Sequence, residues 1–156
     1  MDIYLGLDNA TALQASDFAA IDCLYVQLGT NNTTDDQTLG TIGDTTATDT
    51  VYGNMKRIVE QVLTWKPTIK IFAQTPIYRS LREDNTVSIK LVSQAWRDVG
   101  EMYGMPVNDM RRDSGFNEIT TITLSTFSTD GVHPDTDAGK ARHIAGIIGF
   151  INRFPP

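Results

Sequence analysis

Two kinds of hydrophobic pattern alternate along this chain of 156 residues. Short, nearly continuous apolar runs, rich in β-branched and aromatic residues, predict strands that are buried on both faces. Apolar residues that recur at i, i+3, i+4 and i+7 predict amphipathic helices. The runs place strands at residues 21–28, 69–75 and 105–109, with a shorter candidate at residues 3–7. The helical spacing places helices before Pro67, over residues 86–103 and over residues 136–152, with a short helix or turn at residues 11–18.

The same periodicity predicts which side of each long helix is buried. The predicted inward residues are Met55, Ile58, Val59, Val62 and Leu63 in the first helix, Val87, Leu91, Ala95, Val99 and Met102 in the second, and Ala138, Ala141, Ile144, Ala145, Ile148 and Ile151 in the last. Gly104 follows the second helix and is a suitable C-cap. Thr136 or Asp135 is the expected N-cap of the last helix.

The elements follow the order strand, helix, strand, helix, strand, helix. This alternation predicts parallel strands joined by right-handed helical crossovers, and therefore an α/β sandwich with helices on both faces of the sheet. In such sheets the functional residues collect beyond the carboxyl ends of the strands. Two segments fall at such places: Gly29-Thr30-Asn31-Asn32 after the first strong strand, and Asp130-Gly131-Val132-His133 ahead of the last helix.

Composition and charge restrict the classes of function. The length is that of a single domain spanning residues 1–156. Acidic residues exceed basic ones by 19 to 13, and the net charge of -6 argues against binding to nucleic acid or to an anionic membrane surface. No apolar stretch approaches 18 residues, and the first residues lack the basic and apolar regions of a signal peptide. We therefore expect neither a membrane span nor a leader in this chain, and its localisation stays unassigned.

Cysteine and acidic residues offer no strong metal or redox site. Cys23 is the only cysteine, so it cannot form an internal disulfide, and its apolar neighbours predict a buried, inert side chain. An acidic cluster with one imidazole surrounds His133, but its spacing is not that of an EF-hand loop. Within that cluster, Asp135 and Asp137 suit the positive end of the last helix. We expect no metal and no cofactor.

His133 and Asp130 are the strongest candidates for acid–base chemistry. They stand three residues apart in a predicted loop. A carboxylate beside an imidazole fixes the tautomer of the ring and stabilises its charged form. A merely solvated loop histidine also fits this pattern. The second histidine, His143, falls on the last helix, where we expect a surface or partly packed residue.

Gly29 and Asn31 offer a different kind of group. A glycine lets a substrate approach the backbone N–H closely, and the side-chain amide of asparagine is a neutral donor. Together they could form an oxyanion hole. The alternative is an ordinary turn, because Gly and Asn are common turn residues.

Taken together, the two segments resemble the SGNH/GDSL hydrolase family. Gly29-Thr30-Asn31-Asn32 resembles the family's Gly-x-Asn-Asp block, and Asp130-Gly131-Val132-His133-Pro134 resembles its Asp-x-x-His block. The resemblance covers residues 3–152. It implies a three-layer, flavodoxin-like α/β/α sandwich with a mostly parallel sheet, and hydrolysis of esters. It also implies roles for four residues: Gly29 and Asn31 as oxyanion donors, His133 as the base and Asp130 as the acid that orients it.

Two departures from the family pattern matter. Asn32 stands where the family usually has Asp. The family's nucleophilic serine lies in a Gly-Asp-Ser block at the end of the first strand, and this sequence contains no such block. The nearest lookalike, Gly43-Asp44-Thr45, comes after the Gly-x-Asn block and is interpreted as coincidence. Ser16 precedes Gly29 but has helical neighbours.

The leading hypothesis is an SGNH-type ester hydrolase acting on an acetylated carbohydrate or a small acyl ester. The first strand and the serine are then expected from an upstream segment or a partner chain that completes the sheet, and this chain alone is expected to be inactive. The alternative is a catalytically inactive binding or structural module of the same fold in a larger surface or virion assembly. A metal-binding module is the third hypothesis.

Overall fold

The computed structural model describes residues 14–32, 37–79 and 84–154, and for Asn32 it describes the backbone alone. Within this part of the chain, three parallel strands form one sheet in the order β1-β2-β3. The strands are β1 (Cys23–Val26), β2 (Lys70–Gln74) and β3 (Val107–Asn108). The strand predicted at residues 3–7 lies outside the described residues.

Helices separate and flank the strands. The α-helices are α1 (Val51–Trp65), α2 (Ile89–Tyr103), α3 (Met110–Asp113) and α4 (Asp137–Ile151). Short 3₁₀ helices lie at Ala15–Phe18 and Thr30–Asn32, and a π-helical turn lies at Ile119–Thr123. The predicted alternation of strands and long helices is confirmed. The fold is an α/β sandwich of the flavodoxin-like type with an open, all-parallel sheet.

Alternate residues of the strands face two different helical layers. Ile71 and Ala73 pack with residues of α1 and α2 in the main core. Tyr25 and Phe72 face the opposite side, where the centroids of their rings lie 6.3 and 5.8 Å from that of Phe150 in α4. This period of two is that of a strand buried on both faces. It explains the continuous apolar runs in the sequence.

The hydrogen-bonded strands are shorter than those runs. β1 covers only residues 23–26 of the predicted 21–28, and β3 covers only residues 107 and 108. Apolar residues beyond the strand ends still contribute to the core: Met105 is buried and Leu28 packs against the same cluster. An apolar run therefore indicates burial, and burial extends further along the chain than backbone pairing does.

The predicted buried face of α1 is confirmed. Met55, Ile58, Val59 and Val62 are all at most 5% exposed. Thr50 is the N-cap of the helix, and its hydroxyl oxygen accepts a hydrogen bond from the Gly53 N–H at 3.0 Å. Such a side chain satisfies one of the backbone donors that a helix leaves unpaired at its start.

Three of the five residues predicted to face inward in the second helix, Val87, Ala95 and Val99, are confirmed as buried, each at most 1% exposed. The periodicity places Leu91 and Met102 inward, but they are 37% and 54% exposed. Gly104 does cap the helix, in the left-handed conformation. The buried residues of the helix are Ile89, Val92, Ser93, Ala95, Trp96, Val99 and Gly100. The buried side of α2 therefore includes Ala95 and Val99 as predicted, whereas Leu91 and Met102 lie toward solvent.

α4 departs furthest from its sequence pattern. The six residues predicted to face inward are all exposed: Ala138, Ala141, Ile144, Ala145, Ile148 and Ile151. α4 packs instead through its opposite side, where Gly139 and Phe150 are buried. A Cβ on Gly146 would lie 2.5 Å from Sδ of Met110. The absence of a side chain at Gly146 therefore lets α4 approach Met110 closely. The broad apolar side of α4 is left uncovered by the described residues.

Strand β1 is an edge of the described sheet, because β2 is its only partner among the described strands. Cys23, at the start of β1, is exposed. The prediction of a buried cysteine is therefore wrong, since its apolar neighbours indicate the strand but not its position at an edge. An edge strand presents unpaired backbone N–H and C=O groups along one side.

Candidate functional site

A cavity of about 530 Å³ opens at the carboxyl ends of β1 and β2, beside the loop that leads into α4. This is the end of a parallel sheet at which functional residues were expected. The cavity brings the segment after β1 together with His133, two regions far apart in sequence. Its polar lining residues are Gln27, Thr30, Asn31, Arg79, His133 and His143.

Asp130 organises the loop around His133. Its Oδ1 accepts hydrogen bonds from the backbone N–H groups of Val132 and His133, both at 2.8 Å, and from Oγ of Ser128 at 3.0 Å. Its Oδ2 lies 2.7 Å from Nδ1 of His133. An ionised carboxylate only accepts hydrogen bonds, so Nδ1 carries the proton and Nε2 is left as the acceptor. That is the tautomer a general base requires.

A second pair of hydrogen bonds closes this loop just ahead of α4. Asp135 accepts hydrogen bonds from the backbone N–H of Thr129 at 2.7 Å and from the hydroxyl of Thr129. Asp135 therefore joins the two ends of the loop, and it stands directly before the N-cap of α4. Thr136 is the N-cap of α4 and accepts from the Gly139 N–H at 2.9 Å. Asp137 does lie in the first turn, as predicted.

We expect the carboxyl of Asp130 to titrate well below its ordinary pKa of 3.8. The hydrogen bond from the ring of His133 is the largest cause, followed by those from the backbone N–H groups of His133 and Val132. Because the pKa is lowered by folding, the stabilisation is fully present above about pH 4 and is lost as the pH falls further. A ¹³C NMR titration of the side-chain carboxyls measures this pKa. His133→Ala should return it toward 3.8, and a wild-type Asp130 that titrates at 3.8 would contradict the expectation.

Gly29 turns the chain out of β1. Its φ is +109°, a conformation that L side chains rarely adopt, and a Cβ there would lie 2.6 Å from Cγ1 of Val92. Nε1 of Trp96 donates to the carbonyl of Leu28 at 2.9 Å, which directs that carbonyl into the core. In a trans peptide the following N–H points the opposite way. The N–H of Gly29 is therefore turned away from Trp96, on the wall of the cavity.

Asn31 follows within the short helix Thr30–Asn32 and has an exposed side chain. Its Oδ1 accepts a hydrogen bond from Nη1 of Arg79 at 3.3 Å. Arg79 lines the same cavity, yet sequence reasoning did not select it. The available signal was its place a few residues after β2, beyond the carboxyl end of that strand.

His143 is half-buried, as its place on the helix predicted. Its Nε2 lies 3.4 Å from Nε2 of Gln27, and burial lowers its pKa. Gln27 also lines the cavity and was not selected from the sequence. His143 and Gln27 line the cavity beside α4. The ring of His143 contacts an amide, whereas that of His133 contacts a carboxylate.

The described cavity lining contains no serine and no cysteine. The Gly43-Asp44-Thr45 segment, which resembles the Gly-Asp-Ser block, does not line the cavity. Its Asp44 accepts hydrogen bonds from the hydroxyls of Thr41 and Thr50 near the start of α1. Ser16 lies in the 3₁₀ helix Ala15–Phe18. Both observations agree with the interpretation of these motifs as coincidental.

Two features are absent from the described part of the chain. No three residues of the types His, Cys, Asp and Glu come together there as a metal site. None of its helices is both long enough and apolar enough to cross a membrane.

No protein-family model and no curated protein matches this chain. Solved structures do share its fold. A protein from Lactobacillus plantarum, a structural genomics target, is 23% identical with a TM-score of 0.75 over 94% of this chain. A possible lipase from Chitinophaga pinensis DSM 2588 is 17% identical with a TM-score of 0.72 over 88% of this chain. A third crystal structure is 22% identical with a TM-score of 0.74 over 86% of this chain.

The matches establish the fold class: an α/β/α sandwich shared with a possible lipase. The chain spans 75% of the Lactobacillus plantarum protein, 76% of the possible lipase and 66% of the third structure. These proteins are thus longer than the part that this chain matches.

Proposed function

We propose that this chain carries the base and the oxyanion hole of an SGNH-type ester hydrolase. The observation that supports this most directly is the His133–Asp130 pair, with Nδ1 of the ring 2.7 Å from the carboxylate and His133 lining the same cavity as Gly29 and Asn31. A base and two neutral donors on one cavity are the groups that acyl transfer needs. The fold shared with a possible lipase also favours this class.

The proposed reaction has two halves. A serine hydroxyl attacks the ester carbonyl carbon, and its proton passes to Nε2 of His133 while the carbonyl oxygen becomes an oxyanion. The Gly29 N–H and Nδ2 of Asn31 donate to that oxyanion. The bond to the alcohol oxygen then breaks, and His133 returns the proton to the departing alkoxide. Water, deprotonated by the same base, hydrolyses the acyl-serine and restores the hydroxyl.

The serine is proposed to come from a segment outside the described residues, either upstream in the same polypeptide or in a partner chain. Two features support such a segment. Among the described strands, one edge of β1 has no partner, and a strand added there in parallel would end beside Gly29, because carboxyl ends of parallel strands share one edge. The apolar side of α4 is also left uncovered by the described residues, with Ile144 and Ile148 more than half exposed.

The exposure of His133, the proposed base, also supports a further segment that covers the site. The side chain of His133 is 73% exposed and that of Asp130 is 48% exposed. Acyl transfer depends on hydrogen bonds and charges that are stronger once water is excluded. A segment that covers this pair would provide such surroundings. The polar lining of the cavity favours an ester of a polar alcohol, such as an acetylated carbohydrate, or another small acyl ester.

A catalytically inactive binding module is the second candidate, and the lack of a serine or cysteine in the described lining favours it. Such a module would bind a saccharide in the same cavity without hydrolysing any ester. The pairing of Asp130 with His133 favours the hydrolase instead, because binding alone does not require a fixed tautomer.

A fluorophosphonate probe tests the proposal, because it reacts covalently with an activated serine. We expect no labelling of residues 1–156 alone and stoichiometric labelling, by intact mass, once the serine-bearing segment is present. Peptide mapping should place the label on a serine that follows a strand. Labelling of Thr30 in the isolated chain would contradict the assignment of the nucleophile to another segment. Saccharide binding without labelling or ester turnover in the completed protein would favour the binding module.

A further inference from the structure

Arg79 lies on the wall of the candidate site, although no step of the proposed reaction uses it. It comes from the segment after β2, is half-buried and lines the same cavity as His133. Its Nη1 donates to Oδ1 of Asn31 at 3.3 Å. The two residues are 48 positions apart in sequence, so the tertiary structure alone brings them together.

The segment that presents Arg79 is firmly held. Ile77 is buried in a small cluster with Met110 and Phe116, and Tyr78 packs against the same cluster. The guanidinium carbon of Arg111 lies 5.4 Å from the centroid of the Tyr78 ring. The backbone beside Arg79 is therefore fixed by packing, and this places the guanidinium group of Arg79 next to Asn31.

The chemistry of the contact determines how Asn31 is oriented. A guanidinium group has donors only, whereas an amide has an accepting oxygen at one end and a donating NH₂ at the other. Arg79 can therefore hold only the Oδ1 end of Asn31. With that end held, the Nδ2 end is turned away from Arg79.

We propose that Arg79 is a positioning residue for the oxyanion hole. It fixes the amide of Asn31 so that Nδ2 faces the reacting carbonyl oxygen. This inference rests on the proposed function, in which Asn31 donates to the oxyanion. Without Arg79 the amide can rotate by half a turn and present its oxygen, which would repel the oxyanion that it should stabilise.

Activity measurements on the protein that carries the nucleophile test the role. Arg79→Met keeps the length of the side chain but removes its donors. We expect kcat to fall about tenfold and KM to change less than about twofold, because the lost interaction forms with the transition state. Arg79→Lys should restore part of kcat, since an ammonium group also only donates. Arg153→Met, on a charged residue outside the cavity, is the matched control and should leave both constants unchanged.

A double-mutant cycle separates positioning from direct contact with the substrate. In an Asn31→Ala background, Arg79→Met should have no further effect on kcat, because its effect passes through Asn31. A rise in KM at unchanged kcat, or the same loss of kcat in both backgrounds, would show that Arg79 acts on the substrate itself. Either result would overturn the proposal while leaving the proposed function intact.

A measurement on residues 1–156 alone needs no activity. In a ¹H–¹⁵N NMR spectrum, the side-chain amide pair of Asn31, assigned by its loss in Asn31→Ala, should shift in Arg79→Met. The amide of Asn54, which donates to Asp49 at 3.1 Å, is the internal control and should not move. An unchanged Asn31 pair would overturn the proposal. A shifted pair in a protein whose completed form hydrolyses no ester would refute the proposed function but support the orientation of Asn31 by Arg79.

Discussion

His133→Ala is expected to lower kcat for ester hydrolysis about 10³- to 10⁴-fold in the protein that carries the nucleophile. The alanine removes the group that takes the serine proton and later returns it to the alcohol. KM should change little, because the ring contributes to the transition state more than to substrate binding. Steady-state hydrolysis of p-nitrophenyl acetate, with the fold checked by circular dichroism, measures both constants.

The chain offers a matched control for this substitution. His143→Ala makes the same change in a histidine that lines the same cavity but is bonded to the amide of Gln27. We expect it to lower kcat less than about tenfold. Asp130→Asn should approach the effect of His133→Ala, because an amide can donate to Nδ1 and so favour the wrong tautomer. Wild-type turnover in His133→Ala, or equal losses in both histidine variants, would remove His133 from the role of base.

Trp96→Ala is expected to lower the free energy of unfolding by about 3–5 kcal/mol. Trp96 is 0% exposed and is among the largest fully buried side chains in the described part of the chain. Its loss leaves a cavity between α2 and the sheet and removes the donor to the carbonyl of Leu28. Because a domain of this size is stable by only about 5–15 kcal/mol, the variant should be close to unfolding. Urea denaturation followed by fluorescence or circular dichroism measures the change.

Two variants sharpen this test. Leu91→Ala, on the same helix but at a residue that is 37% exposed, should cost less than about 1 kcal/mol. Trp96→Phe keeps an aromatic ring but loses the indole N–H, so its cost should fall between the other two. Equal costs for Trp96→Ala and Leu91→Ala would mean that Leu91 is packed as closely as Trp96, which would contradict its exposure.

The two candidate groups of the site were predictable from sequence because each is local. Asp130 and His133 stand three residues apart, and one loop suffices to bring the carboxylate to the ring. Gly29 and Asn31 belong to one short turn after a strand. Their meeting in one cavity was also expected, because both segments follow the general rule that sites form at the carboxyl ends of parallel strands.

The contacts of the cavity lining that were not predicted from the sequence join segments far apart in the chain. Arg79 reaches Asn31 across 48 residues, and Gln27 approaches His143 across 116. No spacing rule connects such positions, because the distance between them is set by tertiary packing, which for Arg79 includes the burial of the neighbouring Ile77. The contacts of Arg79 and Gln27 in the cavity could therefore be identified only in the tertiary structure.

By itself, the sequence determined the α/β class, the order of strands and helices, and the buried face of α1, because these follow from local periodicity. Only the tertiary structure decided the orientation of α4. Its spacing correctly identified an apolar side, but Gly146 lets the opposite side pack against Met110. Periodicity shows that a helix has an apolar side and cannot show what lies against it. For the same reason, the sequence placed Cys23 on a strand while the sheet order made that strand an edge.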